Sequence, residues 1–440
     1  MRIVRLLPFL LFFTSPAVAE EAGDFPEITP GEEITLSEAL KLADQRNLTL
    51  NAARTDIIKA QAELYSAWST LLPVASGHLD YTYNDHADTR TIGGNTVEVS
   101  KQQDLRGGLL VNMPLVSAQA WVGIVLGDTG VEVAEVQVEK IRQALLLSVA
   151  QAYYQALTAR SLIEVQHNQI NSSKRHLAVA TIRHRSGTGS RLDVIRAQTE
   201  LLTAREELLK AHTSLDNSRD ALAILIGVEG LPLPVEIPDT PPPEAGEEDL
   251  VAQAKLKNED VKLTRALVEL ADEQVTMSWM SFLPSLYASW TLTQQISERG
   301  GFSSPDNTRW FIGLTLSVPI YDHTRYADLD QKRASLARAE LEAEDTRLQV
   351  ALAVRQARRD YENAVALVAT AQKKATLAAQ SLELAENAYE NGTGSSLDVT
   401  DARRSSRTAE IDLATKRFGA QLALLTLLRT AGEDMRTIGR

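Results

Sequence analysis

Asp398 and Asp401 stand three residues apart in a stretch of helical pattern and therefore share one helix face. Two carboxylates so placed repel each other, raise one another's proton affinity and attract cations, more strongly where several copies converge. Asp398 belongs to a turn, Asn391-Gly392-Thr393-Gly394-Ser395-Ser396-Leu397-Asp398-Val399, that the chain writes twice. The other copy, Ser186-Gly187-Thr188-Gly189-Ser190-Arg191-Leu192-Asp193-Val194, lies 205 positions earlier, and seven of the nine residues are identical. In each copy a Gly suits the left-handed position that ends a helix. Ser190 or Ser395 then opens the next helix, and Asp193 or Asp398 three residues on completes a capping box. Capping accounts for Asp193 and Asp398. It does not account for Asp401, whose place in the first copy is taken by Arg196.

No competing chemistry is visible. There are no cysteines, so disulfides and thiolate metal sites are excluded. The seven histidines form no i, i+4 pair, and His167, His176 and His184 are too far apart on a helix to share a metal. No metal site and no cofactor are expected. The Gly-Thr-Gly-Ser turns follow a helix rather than a strand and lack a following Lys, which argues against a phosphate loop. No G-x-S-x-G is present and no nucleophile is paired with a base, so an enzyme is not expected. A net charge of −13 argues against a nucleic-acid partner.

The elements that must position these turns follow from periodicity. Arg2 and Arg5 before the apolar run from Leu6 to Phe13, then Ala17-Val18-Ala19, read as a secretory signal peptide over 1–19. No Cys stands at the cleavage site for lipid attachment, and no later run is long and apolar enough for a transmembrane helix. A first structural repeat is expected over 20–228. Its opening helix, with a break near Asn47, stops at Trp68-Ser69-Thr70-Leu71-Leu72-Pro73. A second repeat over 247–431 has Trp279-Met280-Ser281-Phe282-Leu283-Pro284 at the matching place. After each Leu-Pro the period becomes two, giving strands over about 76–88 and 103–114, then about 285–295 and 308–320. Polar loops, 85–104 and the Gly-rich 296–307, join each pair. Strands of this length with one apolar face and one polar face point to an outer-membrane barrel, although four strands cannot close one.

Long helices follow, one to 186 and one to 391. The second has no Gly and no Pro between Pro319 and Gly392, about 100 Å at 1.5 Å per residue. In the first, Gly123, Gly127 and Gly130 are expected to weaken the start, leaving about 85 Å over 131–186. Helices of this length must pack side by side. The return helices carry seven-residue seams, Val194, Leu201, Leu208, Leu215 and Leu222 in one and Ile411, Phe418 and Leu425 in the other. Between the repeats, 229–246 is a Pro-rich linker without helical or strand character, and 432–440 reads as a C-terminal tail.

Taken together the residues resemble the TolC-like outer-membrane efflux proteins, also called outer membrane factors. The resemblance spans nearly the whole mature chain, and Tyr389-Glu390-Asn391-Gly392-Thr393 with Leu397-Asp398-Val399-Thr400-Asp401-Ala402 is its most specific part. It implies a mainly α fold with a membrane β-barrel: a homotrimer whose twelve strands form one barrel in the outer membrane. The barrel continues as an α-barrel tunnel of long antiparallel coiled-coil helices across the periplasm. It implies an exit duct of a tripartite efflux or type I secretion system, passive, joined through a periplasmic membrane-fusion adaptor to an inner-membrane transporter. By the same resemblance Asp398 and Asp401 match an entrance aspartate ring, and Tyr389 and Asp193 a pair that helps hold the entrance closed. The adaptor-contacting tips are Gly187, Thr188, Gly189 and Ser190 with Gly392, Thr393, Gly394 and Ser395. Gly394 stands where well-known members carry an Arg, which implies a weaker closing network or replacement by Arg191. The alternative is a periplasmic coiled-coil scaffold or adaptor without a pore.

Overall fold

Asparagine and glycine organise the helices. The computed structural model describes residues 33–100, 102–235, 242–243, 245–296 and 308–437. The signal peptide and nearly all of the Gly-rich loop lie outside the described residues. Helix α1 (Leu36–Arg46) begins on a capping box, Thr35 with Glu38. It breaks at Asn47, whose side chain accepts from Leu50 N–H to start α2 (Leu48–Ser69). Helix α2 stops just short of Pro73. The second repeat copies this device: α5 (Glu247–Lys257) breaks at Asn258, which caps α6 (Glu259–Met280). The long helices α3 (Ala118–Arg185) and α7 (His323–Glu390) have 68 residues each, about 100 Å of rod. They return as α4 (Arg191–Ile226) and α8 (Ser396–Thr430).

Each rod is flanked by two shorter helices abutting end to end, α4 and α2 along α3, α8 and α6 along α7. Asn47 Nδ2 donates to Leu225 O at 2.8 Å and Asn258 Nδ2 to Thr430 O at 3.0 Å, so each asparagine joins one helix end to the next. Gly227 (φ +69°) and Gly432 (φ +84°) complete the joints, since a Cβ there would lie 2.8 Å from the backbone of Arg46 or Lys257. The main core sits at this level, where Leu146, Val149, Tyr153 and Leu157 of α3 meet Leu36, Leu40, Leu222, Ile226 and Leu425. Nearer the turns the seam of α4 is buried on α3 through Leu201 and Ala204 against Ile170.

Four expectations are corrected. Helix α3 runs unbroken through Gly123, Gly127 and Gly130. A Cβ on Gly127 would lie 3.2 Å from Leu64 Cα, so close packing of α2 on α3 offsets the glycine's weak propensity. The loop 85–104 holds a hairpin, β3 (Asp88–Ile92) and β4 (Asn95–Ser100), turned at Gly93 and Gly94, both with positive φ. The linker carries a short strand, β6 (Leu233–Pro234), parallel to β1 (Glu33–Ile34). Tyr153 Oη donates to this pair at Val235 O (2.6 Å) or Ile34 O (3.0 Å), and Arg160 Nη1 holds Pro234 O at 2.7 Å. The expected tail begins with a docked segment: Met435 is fully buried and its N–H donates to Gln143 Oε1 at 3.0 Å.

The principal sheet is antiparallel in the order β2 (Val74–Tyr83), β5 (Gln103–Val116), β7 (Ser285–Gln295), β8 (Thr308–Ser317). The first strand therefore ends earlier than the period-two pattern suggests. The register sets the four apolar series on one face: Gly77 opposes Leu109, Leu109 opposes Leu292, and Leu292 opposes Trp310. That face has no core beneath it, and Leu79, Trp310, Ile312, Leu314 and Leu316 are exposed. Strands β2 and β8 each keep one edge unpaired among the described residues. No helix among those residues is long and apolar enough to cross a membrane.

Candidate functional site at the hairpin tips

The two turns have the same backbone. Thr188 and Gly189 N–H both donate to Arg183 O at 2.9 Å, and Thr393 and Gly394 N–H both donate to Ala388 O at 2.9 Å. Gly187 and Gly392 take φ of +81° and +83°, a conformation that only Gly adopts readily. Gly189 and Gly394 are Gly for another reason: a Cβ would lie 2.9 Å from Arg183 Cβ in the first turn and 3.0 Å from Ala388 Cβ in the second. Gly187, Thr188, Ser190, Gly392, Thr393 and Ser395 are exposed.

The two aspartates of α8 differ in kind. Asp398 Oδ2 accepts from Ser395 Oγ at 2.8 Å and Ser395 N–H at 3.1 Å, completing the capping box. The Ser395 hydroxyl, and after it the backbone N–H, hold its carboxyl below the usual range. Asp401 is exposed one turn on, on the same face, with both oxygens available. Asp193, half-buried at the start of α4, closes the equivalent box with Ser190.

Tyr389 is buried, and among the described residues the Ser396 side chain comes near its hydroxyl without forming a full hydrogen bond. Burial pushes the phenol pKa up and the charge of Asp193 pushes it further, against the opposing charge of Arg183 and the approach of Ser396. The guanidinium that reaches Tyr389 is Arg183, not Arg191. Its Cζ lies 4.7 Å from the ring centroid, and its Nη1 donates to Tyr389 O. Arg191 is exposed. Arg183 thus ties the last turn of α3 to the last turn of α7, a role its position among the basic residues ending α3 does not announce.

Behind the tips lies a buried polar cluster that the spacing of residues does not reveal. Arg403 of α8, 1% exposed, donates from Nη1 to Glu200 Oε2 (3.0 Å), from Nη2 to Glu386 Oε1 (2.7 Å) and from Nε to Ser172 Oγ (3.1 Å). One guanidinium therefore joins α3, α4, α7 and α8. His176 Nδ1 sits 3.1 Å from Arg403 Nη1 and 3.3 Å from Glu200 Oε2, and its Nε2 is 3.4 Å from Ser396 Oγ. One ring nitrogen serves only one of the first two at a time, but Glu200 faces the Arg403 donor in either case. The available signal was a charged residue on the core stripe of α8, among Ser396, Val399 and Ser406.

Burial pushes the Glu200 carboxyl up, but the His176 hydrogen bond and the Arg403 charge outweigh it and leave the pKa lowered. A carboxylate depressed in the folded state adds stability above its unfolded value, near 4.5, that is lost as pH falls through the lower folded value. Thermal melts from neutral pH downward are expected to show this loss, and Glu200→Gln to flatten the acid limb. Superimposable limbs would contradict the assignment.

The profile described as outer membrane efflux protein matches residues 39–228 and 250–433. The chain belongs to this family. It is an efflux protein of the outer membrane that extends into the periplasm. It is 25% identical to outer membrane protein TolC of Escherichia coli over 451 aligned residues, covering 98% of this chain and 87% of that one. Its fold is similar to the Campylobacter jejuni CmeC outer membrane channel (TM-score 0.75, 17% identity, 91% of this chain and 88% of that one). It is also similar to CusC (TM-score 0.74, 16% identity, 94% and 96% covered).

Proposed function

We propose that this chain is the exit duct of a tripartite efflux system, three copies closing one pore. The observation that carries the reading is the open sheet. Its four strands present one continuous apolar face and, among the described residues, two unpaired edges, and a lipid-facing sheet is stable only when its edges are closed. Three copies would supply twelve strands to one barrel, and the rods with their flanking helices would line a tunnel below it. The tips Gly187–Ser190 and Gly392–Ser395 then stand farthest from the membrane, where their exposed turn backbone offers contacts to a periplasmic adaptor, with an inner-membrane transporter beyond it. Asp398 and Asp401 of three copies converge as an acidic entrance. The Tyr389 hydroxyl, in the field of the Asp193 charge, supplies the closing contact, and Arg183 takes the place of the guanidinium missing at Gly394.

Fractionation tests the assembly. Outer-membrane extracts are expected to yield a heat-resistant trimer whose Leu314→Asp variant fails to insert. A soluble periplasmic monomer would overturn the duct and favour the pore-free scaffold.

A further inference from the structure

We infer that a basic cavity between α3, α4 and α8, next to the entrance carboxylates, binds a small amphipathic organic anion. The cavity, open to solvent on one side, has a volume of about 390 Å³ and is lined by Arg196, Arg404 and Arg407 together with Ile195, Leu397 and Glu200. That volume suits a small molecule rather than a few waters. The three guanidiniums have no ion pair among the described residues, and Arg407 Nε is buried without a hydrogen-bond partner. Arg196 and Arg404 are exposed, so their guanidiniums are open to an arriving anion. Glu200, the one acidic side chain in the lining, is already engaged on its far side by Arg403 and His176. The cavity therefore keeps a surplus of positive charge. Guanidiniums match carboxylate and sulfonate oxygens as forked donors.

The remaining lining selects within that class. Ile195 and Leu397 are 50% and 51% exposed beside the arginines, so an apolar ring attached to the acid group would cover them. Leu397, Arg404 and Arg407 recur at one-face spacing along α8. Arg196 is the residue that replaces Asp401 in the first copy of the repeated turn. The asymmetry of the repeat thus sets a cation-attracting pair and an anion-binding cavity side by side. The inference concerns a single chain and stands whether or not three chains form a pore.

The test uses the full mature protein in detergent, with para-fluorobenzoate as probe and para-fluorotoluene as its uncharged counterpart, followed by fluorine NMR. Saturable broadening of the benzoate alone is expected, about tenfold or more weaker in Arg404→Gln/Arg407→Gln. Arg404→Lys/Arg407→Lys keeps the charge and is expected to retain part of the binding, which separates loss of the site from loss of the fold. Should the Gln variant not fold, the charged and uncharged probes compared on the wild type still decide. Equal broadening by both probes, or by wild type and a folded Gln variant, overturns the proposal. So does an assembled wild type that binds no probe while the Gln variant dissociates by native mass spectrometry. That outcome gives the cavity to a carboxylate of a neighbouring copy.

Discussion

Arg403→Ala is expected to loosen the tips more than any other single substitution. The guanidinium answers two carboxylates on two other helices, and its removal leaves Glu200 and Glu386 facing each other's charge with 16% and 29% side-chain exposure. Breaking a fully buried pair costs 3–5 kcal/mol, but water reaches both carboxylates here, so the expected loss is about 2–3 kcal/mol. The loss is local, because the main core lies far up the rods around Tyr153. Amide exchange should therefore accelerate in 172–200 and 386–406 while the segment around 146–157 keeps its protection. A second expectation separates charge from packing: Glu200→Gln/Glu386→Gln added to Arg403→Met removes the stranded charges and should recover part of the stability. If Arg403→Ala leaves both melting and tip exchange unchanged, the cluster does not join the coiled coils.

Much of this arrangement was legible because local rules agree with the fold. Gly187 and Gly392 announced helix ends, the Leu-Pro stops announced a change of period, and the alternating sets of all four strands share the face that register assigns them. Where the sequence misled, a local preference was overridden or too weak to see. Gly127 looked like a breaker until Leu64 of α2 packed against it. The β3–β4 strands carry few apolar residues, so Gly93-Gly94 was the clearest sign of the hairpin. Asn258 does what Asn47 does, breaking the opening helix of the second repeat and capping the next one. The Arg403 cluster was hidden for a deeper reason. Glu386 meets Arg403 within one hairpin, but Ser172, His176 and Glu200 lie on the other, up to 231 positions away, and reach it only when the two coiled coils pack. No local rule brings them together.

Replacing Asp398 and Asp401 is expected to change conduction rather than folding, provided the cap is respected. Asp398→Ala would remove the acceptor for the Ser395 N–H and hydroxyl, open the capping box and cost about 1 kcal/mol, confusing the two effects. Asp398→Asn keeps an acceptor oxygen at Ser395 and removes only the charge. Asp401 makes no such bond, so Asp401→Asn should be silent in thermal melts. If three copies converge, the double Asn variant removes every carboxylate that the two positions bring to the entrance, and preference for cations over anions should fall about tenfold. Reversal potentials in planar bilayers under a salt gradient measure this directly. Asp401 should account for most of the change, because Asp398 Oδ2 is held in the cap while Asp401 has neither oxygen so held. Arg404 lies one turn beyond Asp401 on the same face. Once the carboxylates are gone its charge is no longer opposed, and selectivity should move past neutrality toward anions. Unchanged reversal potentials would place both aspartates away from the conducting path, leaving Asp398 a helix cap and nothing more.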